Sequence, residues 1–262
     1  MSAWEHVGVI PRSVHDREEL AALLRRDPGL HAYELGDLDD FFWPYTSWFR
    51  NGDAVALLYH GLAVPTLIAL APPREAAALL TGLMPMLPRR FYAHLSPGSD
   101  TALAEGFDAE PYGRHLKMAL TDADRLAAAE PAGEVLDADD LPGLLRLYAE
   151  AYPGNWFDRR MLETGHYVGV RRDGRLLAVA GVHVWSPVYR VAALGNVTTH
   201  PDVRGQGLAT AAVAALCRRL LETVDVVTLN VKADNAPAVA VYERLGFTAV
   251  ARYDEFDFTV RR

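Results

Sequence analysis

The chain has 262 residues, half of them hydrophobic, and a formal net charge of −8. That length predicts one large domain or two modest ones with a proper core, and the acidic balance argues against a nucleic-acid partner, which would need a basic face. No apolar run reaches the roughly 18–20 residues that span a bilayer and no signal-peptide pattern opens the chain; with Cys217 as its single cysteine, a cytoplasmic protein without disulfides or a membrane partner is the simplest expectation.

From the N-terminus, a helix is predicted from about Asp16 to Arg26, followed by an aromatic-rich loop from Tyr33 to Trp48. A turn at Asn51-Gly52-Asp53 precedes an apolar strand at Ala54 to His60, and Thr66 to Leu70 is another. Arg74 to Leu87 reads as helix, Phe91 to Leu95 as strand, and a closing strand lies around Leu116 to Leu120. The polar, alanine-rich stretch Thr121 to Gly133 is the expected linker. A third helix begins near Asp139, with Leu141, Leu144, Leu145 and Tyr148 at helical spacing. The loop Tyr152-Pro153-Gly154-Asn155 leads to a short helix through Trp156 to Leu162. A hairpin follows, Tyr167 to Arg171 and Leu176 to Trp185, turned at Asp173-Gly174. Then come a strand, Val191 to Thr199; a helix, Leu208 to Glu222; a strand, Val226 to Val231; a helix, Ala236 to Leu245; and strands around Thr248 to Arg252 and Phe256 to Val260. Cys217 shares its helix with Val213, Leu216 and Leu220 and is expected to be a core thiol.

The most informative segment is Arg204-Gly205-Gln206-Gly207-Leu208-Ala209, between the strand ending at Thr199 and the alanine-rich helix. Glycines at alternate positions let successive backbone N–H groups approach an anion, and the helix that follows points its positive end at the same place. A tight strand–helix turn would use the same residues. The spacing is neither that of a Walker loop nor of a dinucleotide fingerprint. Downstream stand Asn235-Ala236-Pro237-Ala238 and Tyr242-Glu243-Arg244-Leu245-Gly246-Phe247.

Taken together, Arg-Gly-Gln-Gly-Leu-Ala and the later Asn-x-x-Ala…Tyr-x-x-x-Gly-Phe resemble the two signatures of the GNAT superfamily of acyl-CoA-dependent N-acyltransferases. The motif-bearing resemblance covers about residues 166–258. It implies an α/β fold with a mixed, mostly antiparallel twisted sheet flanked by helices, and acetyl-CoA as co-substrate without a metal. It also implies that the strand ending at Thr199 splays from the strand Val226 to Val231, so that the backbone of Val197, Thr198 and Thr199 meets the amide-bearing arm of the coenzyme. Gly205, Gln206, Gly207, Leu208, Ala209 and Thr210 would supply N–H groups to the pyrophosphate, and Arg204 would fix the loop or add a charge. Asn235 approaches the coenzyme arm in the family and is equally a good helix N-cap. Tyr242 matches a tyrosine that sits near the thioester sulfur in many relatives, where a phenol could donate a proton to the leaving thiolate; a packed tyrosine is the alternative.

The general base is harder to read. Many relatives carry an acidic residue or histidine on the strand before the glycine loop, but the corresponding places here hold Gly195 and Ala193. His183 on the preceding strand is the catalytic candidate, with a buried core histidine as its alternative; His166 and Glu150 are further candidates, and His200 is expected to be exposed. Asn196, Tyr152, Asn155, Trp156 and Phe157 would contact the acceptor, the last two being equally able to pack in a core.

The first half echoes the second, down to Glu105-Gly106-Phe107 against Leu245-Gly246-Phe247, but has Ala71-Pro72-Pro73 where a glycine loop would stand. Two tandem domains are expected, 1–125 degenerate and 134–262 catalytic. The expected activity is acetyl transfer to the amine of a small molecule or peptide, by a monomer or homodimer. A non-catalytic acyl-CoA sensor and a tandem aminoacyl or peptidyl transferase are the competing readings.

Overall fold

The computed structural model describes residues 10–261, which divide into two compact units. One contains the chain up to Leu116, Lys232–Asp234 and the stretch from Ala251 on; the other contains Lys117–Val231 and Asn235–Val250.

In the first unit β1 (Arg12–Val14) leads to α1 (Arg17–Leu24). Asp16 caps this helix by accepting the N–H groups of Glu18 and Glu19 at 2.9 and 3.2 Å, which satisfies donors that the first turn cannot. After α2 (Ala32–Gly36) come β2 (Thr46–Asn51), β3 (Ala54–Tyr59), β4 (Thr66–Ala69), α3 (Pro73–Leu83) and β5 (Arg90–Leu95). The aromatic stretch expected to be loop thus ends in a strand, because β2 pairs along its length with β3 and buries Trp48. Strand order is β1-β2-β3-β4-β5, with only β4 and β5 parallel. Leu79, Leu80 and Leu83 of α3 pack with Leu58, Leu67, Phe91, Leu95, Phe256 and Phe258 in one core.

β6 (Phe107–Leu120) gives residues 107–116 to the first unit and 117–120 to the second. The stretch expected to be a linker instead contains α4 (Ala123–Ala128), capped by Asp122 and burying Leu126. Its terminal carbonyls are held from elsewhere in the unit: Arg218 donates to those of Ala127 and Ala129 at 3.0 and 2.7 Å. Alanine-rich sequence takes the helix once such partners exist.

The chain continues through β7 (Glu134–Val135), α5 (Leu141–Ala151), β8 (Val168–Arg172), β9 (Arg175–Ser186), β10 (Val191–Thr199), α6 (Leu208–Leu220), β11 (Val226–Lys232), α7 (Ala236–Arg244) and β12 (Phe247–Val260), the last passing from the second unit to the first at Ala251. The strand order of the second unit is β7-β8-β9-β10-β11, again with one parallel pair, β10 and β11. The two halves therefore repeat one sequence of elements. The Asp173-Gly174 pair turns the β8–β9 hairpin with φ of 50° and 76°, as a mirror-image turn requires. Between α5 and β8 the expected short helix is a 3-10 turn at Arg159–Thr164.

The two closing strands expected from the sequence are one. β12 runs unbroken because Tyr253 is fully buried, and Glu255 accepts hydrogen bonds from the hydroxyls of Tyr92 and Tyr253. A polar interruption in the sequence is thereby satisfied across the sheet. Residues 254–259 pair antiparallel with β5 and complete the sheet of the first unit.

Candidate active site

β10 and β11 pair in register from Val191 with Val226 to Leu194 with Leu229, and the ladder then stops although both strands continue. From Gly195 on, β10 turns an unpaired edge toward β11. On its other side β10 stays paired with β9, except for a bulge between Gly195 and Thr198 that leaves Asn196 and Val197 out of register. Asn196 has a φ of +55°, a left-handed conformation that asparagine tolerates better than most side chains. The hydroxyl of Tyr148, on α5, donates to the Asn196 carbonyl at 3.0 Å and pins the bulge.

The opened edge runs into the glycine loop. Gly205 and Gly207 have φ of +78° and +79°, and Gly207 is the N-cap of α6. The first N–H that the helix consumes is that of Ala211, which donates to the Gly207 carbonyl at 3.0 Å. Among the described residues, the N–H groups of Gly205 to Thr210 have no protein acceptor. They form a run of donors at a helix N-terminus, the arrangement that suits an anion. Arg204 braces this loop, donating to the carbonyls of Thr199 and Ala151 at 3.3 and 3.5 Å, and the Gln206 side chain accepts from Arg172 at 2.6 Å. Asn235 caps α7, accepting the Ala238 N–H at 3.3 Å.

A second bulge lies on β9. Ala193 pairs with Val184 and Leu194 with Val182, so His183 is the extra residue, and bulges of this kind re-aim a side chain. The imidazole folds over Gly195: a Cβ at that glycine would stand 1.7 Å from Cδ2 and 2.2 Å from Nε2 of His183. The side chain that β10 lacks is replaced in space by one from β9. The Nε2 of His183 is buried without a hydrogen-bond partner. Burial lowers the pKa of His183, the nearby Asn196 side chain opposing, which favours the neutral ring.

Asn196, expected to meet the acceptor, is itself 5% exposed and donates its side-chain amide to the Tyr167 hydroxyl, 3.0 Å from Nδ2. The other titratable candidates are committed elsewhere. His200 is buried rather than exposed, with Nε2 2.8 Å from a Glu150 carboxylate oxygen that also receives Arg175. His166 is held by the Thr164 carbonyl at 2.6 Å and tilts against Trp185.

Tyr242 is buried against Phe247, and burial pushes its pKa well up, so the phenol stays protonated. Tyr152 and Cys217 are near enough to add to that rise. Cys217 itself is fully buried and its thiol pushed up by burial, an inert core group. Tyr152 and Trp156 are exposed, whereas Phe157 packs on Tyr148 and Tyr167 with ring centroids at 5.2 and 5.7 Å. Both ends of the Asn155 amide serve the loop backbone, donating to the Tyr152 carbonyl and accepting from the Phe157 N–H.

Sequence reasoning missed Tyr148 and Tyr167 as supports of the bulge, and Asn230 altogether. An amide inside the apolar run Val226-Val227-Thr228-Leu229-Asn230-Val231 is the signal that marks Asn230.

A family model described as acetyltransferase (GNAT) family matches residues 136–247. A [ribosomal protein bS18]-alanine N-acetyltransferase of Salmonella typhimurium is 33% identical over 119 residues, 43% of this chain and 78% of that protein. A mycothiol acetyltransferase of Saccharomonospora viridis is 35% identical over 112 residues, 38% of this chain and 34% of that protein, so the match spans about a third of that relative. A tandem GNAT protein from the clavulanic acid biosynthesis pathway shares the fold over 95% of this chain and 97% of its own, with a TM-score of 0.55 and 17% identity.

Proposed function

The chain belongs to the acetyltransferase (GNAT) family, and from that premise we propose that it moves an acetyl group from acetyl-CoA to an amine by direct attack on the thioester. The observation that carries this reading is the parting of β10 and β11 after Leu194 and Leu229, at an edge that runs into six free N–H donors. An extended arm with amides can add to such an edge as a strand would, and a pyrophosphate suits the loop. The donor supplies the acyl carbon as an activated ester. The protein aligns the two reactants and offers strand N–H groups at the bulge to the developing oxyanion.

His183 is the base in this reading. Its Nε2 takes one proton from the incoming ammonium, and the nitrogen bonds to the carbonyl carbon as the C–S bond breaks. The second nitrogen proton passes to solvent as the amide forms, while Tyr242 protonates the departing sulfur and recovers a proton from solvent. Cys217 takes no part, and no acyl-enzyme forms.

The first half is inferred to bind no coenzyme. There the parallel ladder continues to the end of β4, pairing Ala69 with Leu95, and the Ser96 N–H extends it to the Ala69 carbonyl at 3.3 Å. The Ser96 hydroxyl then bridges the N–H and carbonyl of Ala71. Pro72 and Pro73 stand at the N-cap and first turn of α3, where a proline has no N–H to give.

The test combines acetyl-, propionyl- and succinyl-CoA with benzylamine, putrescine and alaninamide, read by thiol release. Calorimetry should give one CoA bound per chain; two would refute the inference about the first half, and none at millimolar coenzyme would remove the reading. Tyr242→Phe should slow turnover severalfold while leaving coenzyme affinity nearly unchanged, whereas a sensor without catalysis would release no thiol at all.

A further inference from the structure

Two buried polar atoms of the second unit lack a partner, Nε2 of His183 and Oδ1 of Asn230. The first has a role in the reading above and the second has none. A buried acceptor left unmatched is destabilising, and such a group in a folded protein calls for a reason.

The position of Asn230 supplies one. It follows Leu229, which forms the last rung with Leu194, and so stands beside Gly195 where the strands part. Side chains alternate along a strand, so Asn230 lies on the face that Gly195 leaves to the His183 imidazole. Thr228, two residues earlier on that face, is fully buried and satisfied by the Ala192 carbonyl at 3.4 Å. Only at the opening does the strand carry an amide whose oxygen faces no donor. Both unmatched atoms stand at the opening on one face of the sheet.

We infer that Asn230 is a positioning and specificity residue for the acceptor: its carboxamide oxygen receives one N–H of the incoming amine and turns another toward Nε2 of His183. The inference rests on the acyl-transfer reading. It also names a substrate class. A carboxamide has no charge with which to reward a second cation, and the side chains gathered at the Asn196 bulge of the adjoining strand, Tyr148 and Tyr167 with Phe157 packed on both, are aromatic. The preferred acceptor is a monoamine with an apolar or aromatic body, rather than a diamine or polyamine.

The experiment compares the full-length protein with Asn230→Leu and Asn230→Asp. Thiol release from acetyl-CoA is measured with benzylamine and with putrescine, and the melting temperature is measured without ligands. Asn230→Leu should raise the KM for benzylamine about tenfold, equivalent to 1.4 kcal/mol, with the KM for acetyl-CoA within twofold. Because it removes an unmatched acceptor, it should also raise the ligand-free melting temperature by about 2–4 °C. Asn230→Asp, nearly identical in shape, should shift kcat/KM toward putrescine relative to benzylamine by about tenfold. A melting temperature lowered by Asn230→Leu, or a benzylamine KM unchanged in both variants, overturns the proposal while leaving acyl transfer intact. No thiol release by the unaltered protein with any amine sinks the acyl-transfer reading, and this proposal with it.

Discussion

Gly195 and His183 form a pair in which one residue matters for what it lacks. The backbone of Gly195 is not left-handed, so alanine could adopt its conformation; what excludes a side chain is the imidazole already there. Gly195→Ala should therefore fold and bind coenzyme but displace the ring. We expect it to cost at least tenfold in kcat, and His183→Ala about 10²–10⁴-fold, the usual contribution of a positioned base. In a double-mutant cycle Gly195→Ala should cost nothing further once His183 is alanine; additive losses would show that the two act separately. The pH dependence has a definite sign. Burial holds His183 below the ordinary histidine value of 6.5, so its neutral form persists well into the acid range. The acid limb of kcat/KM due to this group should lie below pH 6.5 and vanish in His183→Ala. His166 is lowered by burial as well. For both, the unfolded chain binds more protons at acid pH, so their contribution to stability is present above pH 6.5 and lost as the pH falls through the folded values.

At the level of elements, the proposed anion site depends on a backbone conformation rather than on side-chain charge. Gly205 and Gly207 have nothing within 4 Å of where a Cβ would stand, so substitution there meets conformational strain and no clash. An L-residue in the left-handed region costs roughly 1–2 kcal/mol. Gly207→Ala should accordingly lower the melting temperature by about 2–8 °C and weaken CoA binding about tenfold by calorimetry, as the N–H groups around it turn away from a common centre. Unchanged affinity would mean that this loop does not hold the phosphates. The glycine pair, the N-cap at Asn235 and the Asp-Gly hairpin were legible in the sequence because each follows from local backbone chemistry. The bulges at His183 and Asn196 were not, since a register shift of one residue depends on the neighbouring strand and leaves no local mark.

At the scale of the whole molecule, the end of the chain belongs to the sheet at its beginning. Residues 254–259 pair with β5, and Phe256 and Phe258 pack against Phe91, Leu95 and Leu103 in the core of the first unit. Expressed alone, residues 134–262 should expose those two rings and aggregate in size-exclusion chromatography, since burying a phenylalanine side chain is worth about 1.5–3 kcal/mol. Residues 1–125 alone would leave β5 with an unpaired edge. A monomeric, fully active 134–262 fragment would show instead that the closing strand finds no necessary partner in the first half. Within the full chain, Phe258→Ala should cost about 3–5 kcal/mol of stability in the first unit, read by chemical denaturation.

By itself the sequence determined the family, most of the element order of the second half, the glycine loop proposed to hold an anion and the prolines that stand in its place in the first half. Each of these follows from short-range rules of glycine, proline, capping and periodicity. Only the tertiary structure decided that β10 and β11 part after Leu194, that His183 fills the space over Gly195, and that Asn230 leaves an acceptor unmatched beside it. It also decided that the last strand closes the first sheet. These depend on residues far apart in the chain, brought together by strand register and by the burial of rings such as Tyr253 and Phe258, and no local stretch of sequence encodes a distance of that kind.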